Sequence, residues 1–235
     1  MRILFKLLRR LFWLALALVL AAGGLLAFQG YRMYRQALDG QSLEAALSAV
    51  RSAPGYTPID QLPELYLDAV VAVEDHRFEQ HSGIDPIAIL RAAAHDLRTR
   101  SLDQGGSTIT QQVAKNLFFT QEKQFARKIA EVFMAFRLED VYSKDEILEL
   151  YVNTIYFGDG YYGIHDASAG YFGKEPAQLT PYEATLLAGI PNAPSVYSLT
   201  ANPGLAAQRQ QYVVGQMVKY GYLTAGQAAS IAPPL

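Results

Sequence analysis

The chain has 235 residues, of which 51% are apolar, so it is long enough for one domain with a hydrophobic core and too apolar for a disordered protein. Its formal net charge is −2, but residues 1–10 carry four basic residues and no acid, which leaves 16 basic against 22 acidic residues in the remainder, a balance of −6 that argues against a nucleic-acid binder. The chain contains no cysteine, which excludes thiol catalysis, disulfide bonds and zinc sites built from cysteine.

The N-terminal segment is predicted to cross a membrane. Residues 11–28 form an uncharged run of 18 residues, and residues 29–31 extend it, so a helix of this length spans a hydrocarbon core of about 30 Å. The basic residues before the run favour a cytoplasmic N-terminus. A cleaved signal peptide is the alternative, but the run exceeds the roughly 7–15 residues of a usual signal-peptide core, and no clean cleavage site follows. We therefore expect a cytoplasmic basic tail (1–10) and a transmembrane anchor (11–31), with the body outside the cytoplasmic membrane.

The rest of the chain is predicted to be a juxtamembrane connector (32–54) and one mainly α-helical domain (55–235). No long alternating strand pattern and no fixed-period repeat occurs, although a short hairpin is expected near residues 153–163. Capping boxes at Thr108, Ser143, Thr180 and Thr224 mark the beginnings of helices. The predicted helices cover about residues 42–50, 65–78, 86–98, 109–118, 122–142 and 144–152, and begin again at 181, 203 and 225.

Glu74 and Asp75 follow an apolar run, LYLDAVVAV, directly. An acid at the C-terminal end of a helix that merely faces water is one interpretation, but this placement is unfavourable with the helix dipole, and the apolar run indicates a partly dry environment. We therefore favour a functional carboxylate at Glu74. His76 and His81 lack both a third ligand and the i, i+4 spacing of a helical metal site, so hydrogen bonds to the backbone or to the adjacent acids are favoured. Asp85 is interpreted as a helix N-cap.

Two polar helix faces follow. Gly105 and Gly106 precede a capped helix and are predicted to form an anion cradle with its N-terminus, although the Gly-Lys-Ser/Thr of a nucleotide-binding loop is absent. On that helix one face carries Gln112, Lys115 and Asn116, for which a solvated polar face is the alternative.

A second such face carries Arg127, Lys128 and Glu131, for which a surface ion pair worth about 0.3–0.5 kcal/mol is the alternative. Two carboxylates, Glu74 and Glu131, therefore accompany a cluster of cations. This combination suits a reaction at a sugar whose leaving group is a phosphate, because one carboxylate can act as base while the cations neutralise the pyrophosphate. The cations would also keep the base ionised.

Taken together, these stretches resemble the peptidoglycan glycosyltransferases (family-51 glycosyltransferases) in their monofunctional, membrane-anchored form. The resemblance implies a mainly α, lysozyme-like glycosyltransferase domain with a large lobe and a small membrane-proximal lobe, preceded by one transmembrane helix in the bacterial inner membrane. Five ordered blocks carry it: EDHRFEQHSGID (74–85), GGSTITQQVAKNLF (105–118), RKIAEVFMAFRLE (127–139), KDEILELYVNTIYFGDGYYGI (144–164), and YFGK (171–174) with EATLLAGIPNAPSVYS (183–198).

The resemblance also implies a reaction, in which a growing glycan linked to undecaprenyl pyrophosphate is transferred to the 4-hydroxyl of lipid II with inversion to a β-1,4 bond. It makes Glu74 the general base and Glu131 a second essential acid near the phosphates of the donor. No metal ligands are assigned, although a divalent cation, Mg²⁺ or Mn²⁺, could bridge pyrophosphate and a carboxylate. Membrane lipid and other cell-wall synthesis and division proteins are the implied partners. The remaining implied substrate-binding residues are Lys115, Arg127 and Lys128 at the pyrophosphate, Gln112, Asn116 and Ser107 in the donor block, and Asp75, His81 and Tyr156 in supportive positions.

The chain departs from the family pattern at Glu79, where an aromatic residue is frequent, and in AAQRQQYVV (206–214), where a second Arg commonly follows the first. We expect both departures to lie outside the chemistry. Ser-x-x-Lys and Lys-Thr-Gly are absent, so no penicillin-binding transpeptidase activity is expected. A lytic enzyme of similar fold would not need the cations, and a scaffold that has lost the chemistry would not need both acids.

Overall fold

A computed structural model of the chain describes residues 2–99, 105–119 and 125–231. Its described part is α-helical with short 3₁₀ turns and contains no β-sheet, which confirms the predicted mainly α class. The helices are α1 (Arg2–Gly40), α2 (Leu43–Arg51), α3 (Glu64–Glu74), α4 (Pro86–Thr99), α5 (Ile109–Phe118), α6 (Phe125–Val141), α7 (Lys144–Thr154), α8 (Gly163–Phe172), α9 (Pro181–Gly189), α10 (Pro203–Lys219) and α11 (Ala225–Ser230).

The N-terminal apolar run lies within α1. Residues Leu4–Gly40 are long and apolar enough to cross a membrane, with a mean hydropathy of 2.4 in the most apolar window, none of which is buried against the protein. This length and composition fit a single-pass membrane anchor. The helix continues past the predicted anchor (11–31) into the predicted connector and ends at Gly40.

The second half of the predicted connector packs against the body. Leu43 and Ala46 of α2 are buried, and the Arg51 guanidinium donates to Glu149 Oε1 of α7 at 2.9 and 3.0 Å. Packing against the body therefore begins before residue 54, where the connector was predicted to end. The division of the chain into connector and domain stays a prediction.

The helix beginnings agree with the capping signals. Each of the four predicted capping boxes makes both of its hydrogen bonds, so these predictions are confirmed. The Ile87 N–H donates to Asp85 Oδ1 at 2.9 Å, which confirms Asp85 as the cap of α4. The start of α6 predicted at residue 122 lies outside the described residues.

One local prediction is wrong, and one helix was not predicted. The helix predicted to reach Phe78 ends at Glu74, because Asp75 leaves the helical conformation (φ −157°, ψ 70°) to direct its carboxylate toward α5. Helix α8 was not predicted because glycines at 163 and 170 weaken its apolar pattern. Gly163 adopts a φ of +79°, and Gly170 lies against the ring of Tyr161, so both positions require glycine.

The loop before α8 contains the expected hairpin. Its strands are reduced to one antiparallel bridge, between Tyr156 and Tyr162, inside the predicted range 153–163.

The core lies between α3, α5, α7, α9 and α10, and it includes the fully buried side chains of Tyr66, Ile109, Tyr151, Leu187 and Val213. Packing of these helices brings the C-terminal end of α3, one face of α5, one face of α6 and one face of α10 around a common cavity. The cavity therefore collects side chains that lie far apart in the sequence.

Candidate active site

A polar cavity of about 430 Å³ opens where α3, α5, α6 and α10 meet. Six of the eleven predicted site residues line it: Glu74, Ser107, Gln112, Lys115, Lys128 and Glu131. The stretches that the sequence singled out separately therefore form one site.

Glu74 is the last residue of α3, and its carboxylate reaches the cavity. Oε2 accepts a hydrogen bond from Gln112 Nε2 at 2.7 Å, whereas Oε1 is buried and has no hydrogen-bond partner among the described residues. Burial raises the pKa of Glu74, and the Gln112 hydrogen bond and the Arg209 charge oppose this rise. A half-buried carboxylate with one oxygen unengaged is not an acid that merely faces water.

Glu131 lies between two cations of its own helix. Its Oε1 is 3.0 Å from Arg127 Nε, and its Oε2 is 3.0 Å from Lys128 Nζ. Lys128 Nζ also donates to Ser107 Oγ at 2.7 Å, which links α6 to the segment before α5. The carboxylate of Glu131 is 2% exposed, so the alternative of a surface ion pair is wrong.

Lys115 connects the two acids electrostatically. Burial lowers the pKa of Lys115, the charges of Lys128 and Arg127 lower it further, and the charges of Glu131 and Glu74 oppose the decrease. The protonation of Lys115 thus depends on both acids and on the two neighbouring cations.

The first turn of α5 is engaged by the protein itself. Asp75 Oδ2 accepts the Ile109 N–H at 3.0 Å, and the side chains of Thr108 and Gln111 satisfy each other's backbone N–H groups. Asp75 thus supplies an anion at this helix N-terminus. Gly105 lines the cavity, and the anion cradle at Gly105 and Gly106 stays a prediction.

The other predicted residues do not line the cavity. Arg127 pairs with Glu131, which does line it. His81 Nε2 lies 3.0 Å from both oxygens of Asp75, which confirms that His81 bonds an adjacent acid. Tyr156 packs its ring on Tyr162, with centroids 4.7 Å apart. Asn116 keeps its amide nitrogen buried, without a partner among the described side chains. The roles of these residues stay predictions.

The sequence did not single out the wall that α10 contributes. Arg209, Tyr212, Gln216 and Lys219 line the cavity from that helix. Their spacing of three, four and three residues is that of one helix face, and this polar stripe is the signal that could have revealed them.

Arg209 lines the same cavity as Glu74, its charge lowers the pKa of Glu74, and three contacts hold it in place. Its Nε donates to the Gly189 carbonyl oxygen at 3.3 Å, and its guanidinium lies 4.7 Å from the ring centre of Tyr212 and 5.6 Å from that of Tyr197. The next residue, Gln210, stands where the family pattern described above commonly has a second Arg. Gln210 is buried and donates to Thr185 Oγ1 at 2.9 Å, away from the cavity.

Comparison with known proteins assigns the family. Residues 40–218 match the model of the transglycosylase family. A protein of Cupriavidus necator whose name assigns it to the transglycosylases is 47% identical over 182 residues, which cover 77% of this chain and 78% of that protein. Penicillin-binding protein 1A of Aquifex aeolicus (47%) and penicillin-binding protein 1F of Bacillus subtilis (46%) match over 172 residues, which cover 73% of this chain and 24% of each relative.

The chain belongs to the transglycosylase family, the peptidoglycan glycosyltransferases. It is accordingly a glycosyltransferase of cell-wall synthesis with a lysozyme-like domain, and the resemblance found in the sequence is confirmed. The family match and the penicillin-binding relatives favour glycan polymerisation over the lytic alternative.

Proposed function

We propose that the cavity polymerises glycan chains from lipid II by transferring a growing glycan from its undecaprenyl pyrophosphate to the sugar 4-hydroxyl of lipid II. One observation carries the proposal: a desolvated carboxylate with an unengaged oxygen, Glu74, shares a cavity with a cation cluster organised by Glu131. A base and an anion site side by side are what displacement of a pyrophosphate by a hydroxyl requires.

In the proposed step, the acceptor 4-hydroxyl donates a hydrogen bond to the Glu74 carboxylate, which lines the cavity. Its oxygen attacks the anomeric carbon of the donor while its proton passes to Glu74. The bond from the anomeric carbon to the pyrophosphate oxygen breaks, and its electron pair leaves with the pyrophosphate. Attack opposite the leaving group inverts the anomeric centre to a β-1,4 bond. The raised pKa of Glu74 suits a general base, because proton transfer is most effective when that pKa lies near the working pH.

The departing pyrophosphate is neutralised by Lys115 and Lys128, and Glu131 keeps Arg127 and Lys128 in position. A divalent ion, Mg²⁺ or Mn²⁺, would add a Lewis acid at the pyrophosphate. Within residues 2–99, 105–119 and 125–231, no three His, Asp or Glu side chains are grouped to hold a metal, so the pyrophosphate itself would supply most of the ligands.

The membrane anchor supports the choice of a lipid-linked substrate. We place the N-terminus in the cytoplasm and the domain on the outer side of the bacterial inner membrane, since residues 2–10 contain all four basic residues that precede the apolar run.

The direct test is to incubate the purified full-length chain, in detergent or liposomes, with lipid II and separately with polymeric glycan. We expect lipid II to be consumed and a polymer to grow. Shortening of the polymer without use of lipid II would refute the proposal and support a lytic enzyme.

We expect Gln112→Ala to shift the acidic limb of the pH–rate profile to higher pH. The Gln112 hydrogen bond lowers the pKa of Glu74, so removing it raises that pKa and leaves less of the base ionised at a given acidic pH. The measurement is kcat/KM for lipid II against pH. A profile that is merely scaled down, with its limb at the wild-type pH, would contradict this role of Gln112.

A further inference from the structure

The membrane anchor packs directly on the catalytic helix α6. Gly30 of α1 is buried at the crossing. A Cβ atom added to Gly30 would lie 2.6 Å from both Cβ and Cγ2 of Ile129, and 2.9 Å from the backbone oxygen of Ala126. These distances are shorter than side-chain carbons tolerate, so the two helices approach this closely because residue 30 is glycine.

Aromatic side chains extend the same contact along α6. The ring of Phe133 lies edge-on to Tyr31, with centroids 5.5 Å apart, and 5.9 Å from the ring of Tyr34. Aromatic pairs at such distances favour a definite relative orientation of their rings. The crossing is therefore a fixed contact with a defined register.

The contact lies behind the proposed site. Ala126, Ile129 and Phe133 are spaced by three and four residues and occupy one face of α6, which meets α1. At 3.6 residues per turn, the residues that carry the charge cluster, Arg127, Lys128 and Glu131, fall on the nearly opposite face. A helix moves as a rigid unit, so a displacement of the face that contacts α1 displaces these charged side chains by a similar amount.

We propose that α1 is a positioning element of the enzyme as well as its anchor, and that Gly30 is the residue that sets the position of α6 and its charge cluster. The inference rests on the proposed role of that cluster at the pyrophosphate. A displacement of about 1 Å in a catalytic group can reduce a rate by about 10²-fold, so a small change at the crossing has a measurable consequence.

The test compares Gly30→Leu and Gly30→Ala with Gly24→Leu in the full-length chain, reconstituted in liposomes containing lipid II. Gly24 is the matched control, because a Cβ there would meet no described atom within 4 Å. We expect the initial polymerisation rate to fall at least 10-fold in Gly30→Leu and less in Gly30→Ala, and to stay within twofold of wild type in Gly24→Leu.

Rescue distinguishes positioning from general damage. Alanine favours a helix more than glycine does, so Gly30→Ala should strengthen α1 itself, and its lost activity would report the contact with α6. Adding Ile129→Gly removes both Cβ and Cγ2 from the collision and should restore part of the rate relative to Ile129→Gly alone. If Gly30→Leu fails to fold, the comparison of Gly30→Ala with and without the substitution at Ile129 still tests the inference.

Two outcomes would overturn the inference: Gly30 variants as active as Gly24→Leu, or a loss in Gly30→Ala that Ile129→Gly does not relieve. A wild-type chain that does not polymerise lipid II in the same liposomes would refute the proposed function instead.

Discussion

Glu74→Gln is expected to reduce polymerisation of lipid II by at least about 10³-fold while the protein stays folded, because an amide cannot accept the proton of the attacking hydroxyl. The amide oxygen of Gln can still accept from Gln112 Nε2, so the local hydrogen bond is preserved. Glu79→Gln is the matched control, since Glu79 is exposed and outside the cavity, and should stay within twofold of wild type. Initial rates of lipid II consumption measure both.

Glu74→Gln is also expected to change the stability of the folded protein. Burial raises the pKa of Glu74 in the folded state above its value of 4.5 in the unfolded chain, so ionised Glu74 destabilises the fold at neutral pH, and this penalty disappears as the pH falls toward 4.5. Glu74→Gln should therefore have a melting temperature at pH 7 no lower than that of wild type. The advantage of the variant should shrink in acid. A fully active variant would refute the assignment of the base, and a variant that melts well below wild type at pH 7 would refute the desolvation argument.

Glu131→Gln is expected to lower both activity, by about 10²-fold or more, and stability. Breaking a buried ion pair by removing one partner is strongly destabilising, at a cost of about 3 kcal/mol, which corresponds to roughly 6–12 °C in melting temperature for a chain of this size. Arg127 would keep its charge in a poorly hydrated position, and Lys128 would lose the acceptor that holds it beside the cavity.

A further consequence concerns pH. Glu131 raises the pKa of Lys115, so without Glu131 that pKa falls and Lys115 loses its proton at a lower pH. The alkaline limb of the pH–rate profile should move to lower pH. Asp140→Asn is a suitable control on the same helix, since Asp140 is exposed and outside the cavity. Equal melting temperatures for Glu131→Gln and Asp140→Asn would contradict the buried ion pair.

Local signals were sufficient for much of the fold. The capping boxes act within four residues, so a single sequence contains all the information about where such helices begin. The end of α3 was missed because it depends on Asp75 bonding Ile109, 34 positions later, which no local pattern expresses. Tertiary contacts of this kind override helix propensity.

Local patterns likewise identified some residues of the site and missed others. Glu74 was identified because an acid after an apolar run is locally anomalous, and Glu131 because its cations lie on its own helix. Arg209 was missed because an arginine on a helix surface is ordinary in sequence. Its significance appears when packing of α10 against α9 brings it to the cavity that Glu74 also lines.

Under the proposed function, the continuous helix α1 would set the depth at which the enzyme meets its lipid-linked substrate. Gly30 lies one residue before the end of the predicted anchor (11–31), so α6 contacts α1 at the end of the anchor that is nearer to the domain. A lipid-linked sugar has its phosphates at that same level, immediately after the hydrocarbon tail. The carrier lipid can then remain in the bilayer throughout the reaction, while the lengthening glycan extends away from the membrane surface.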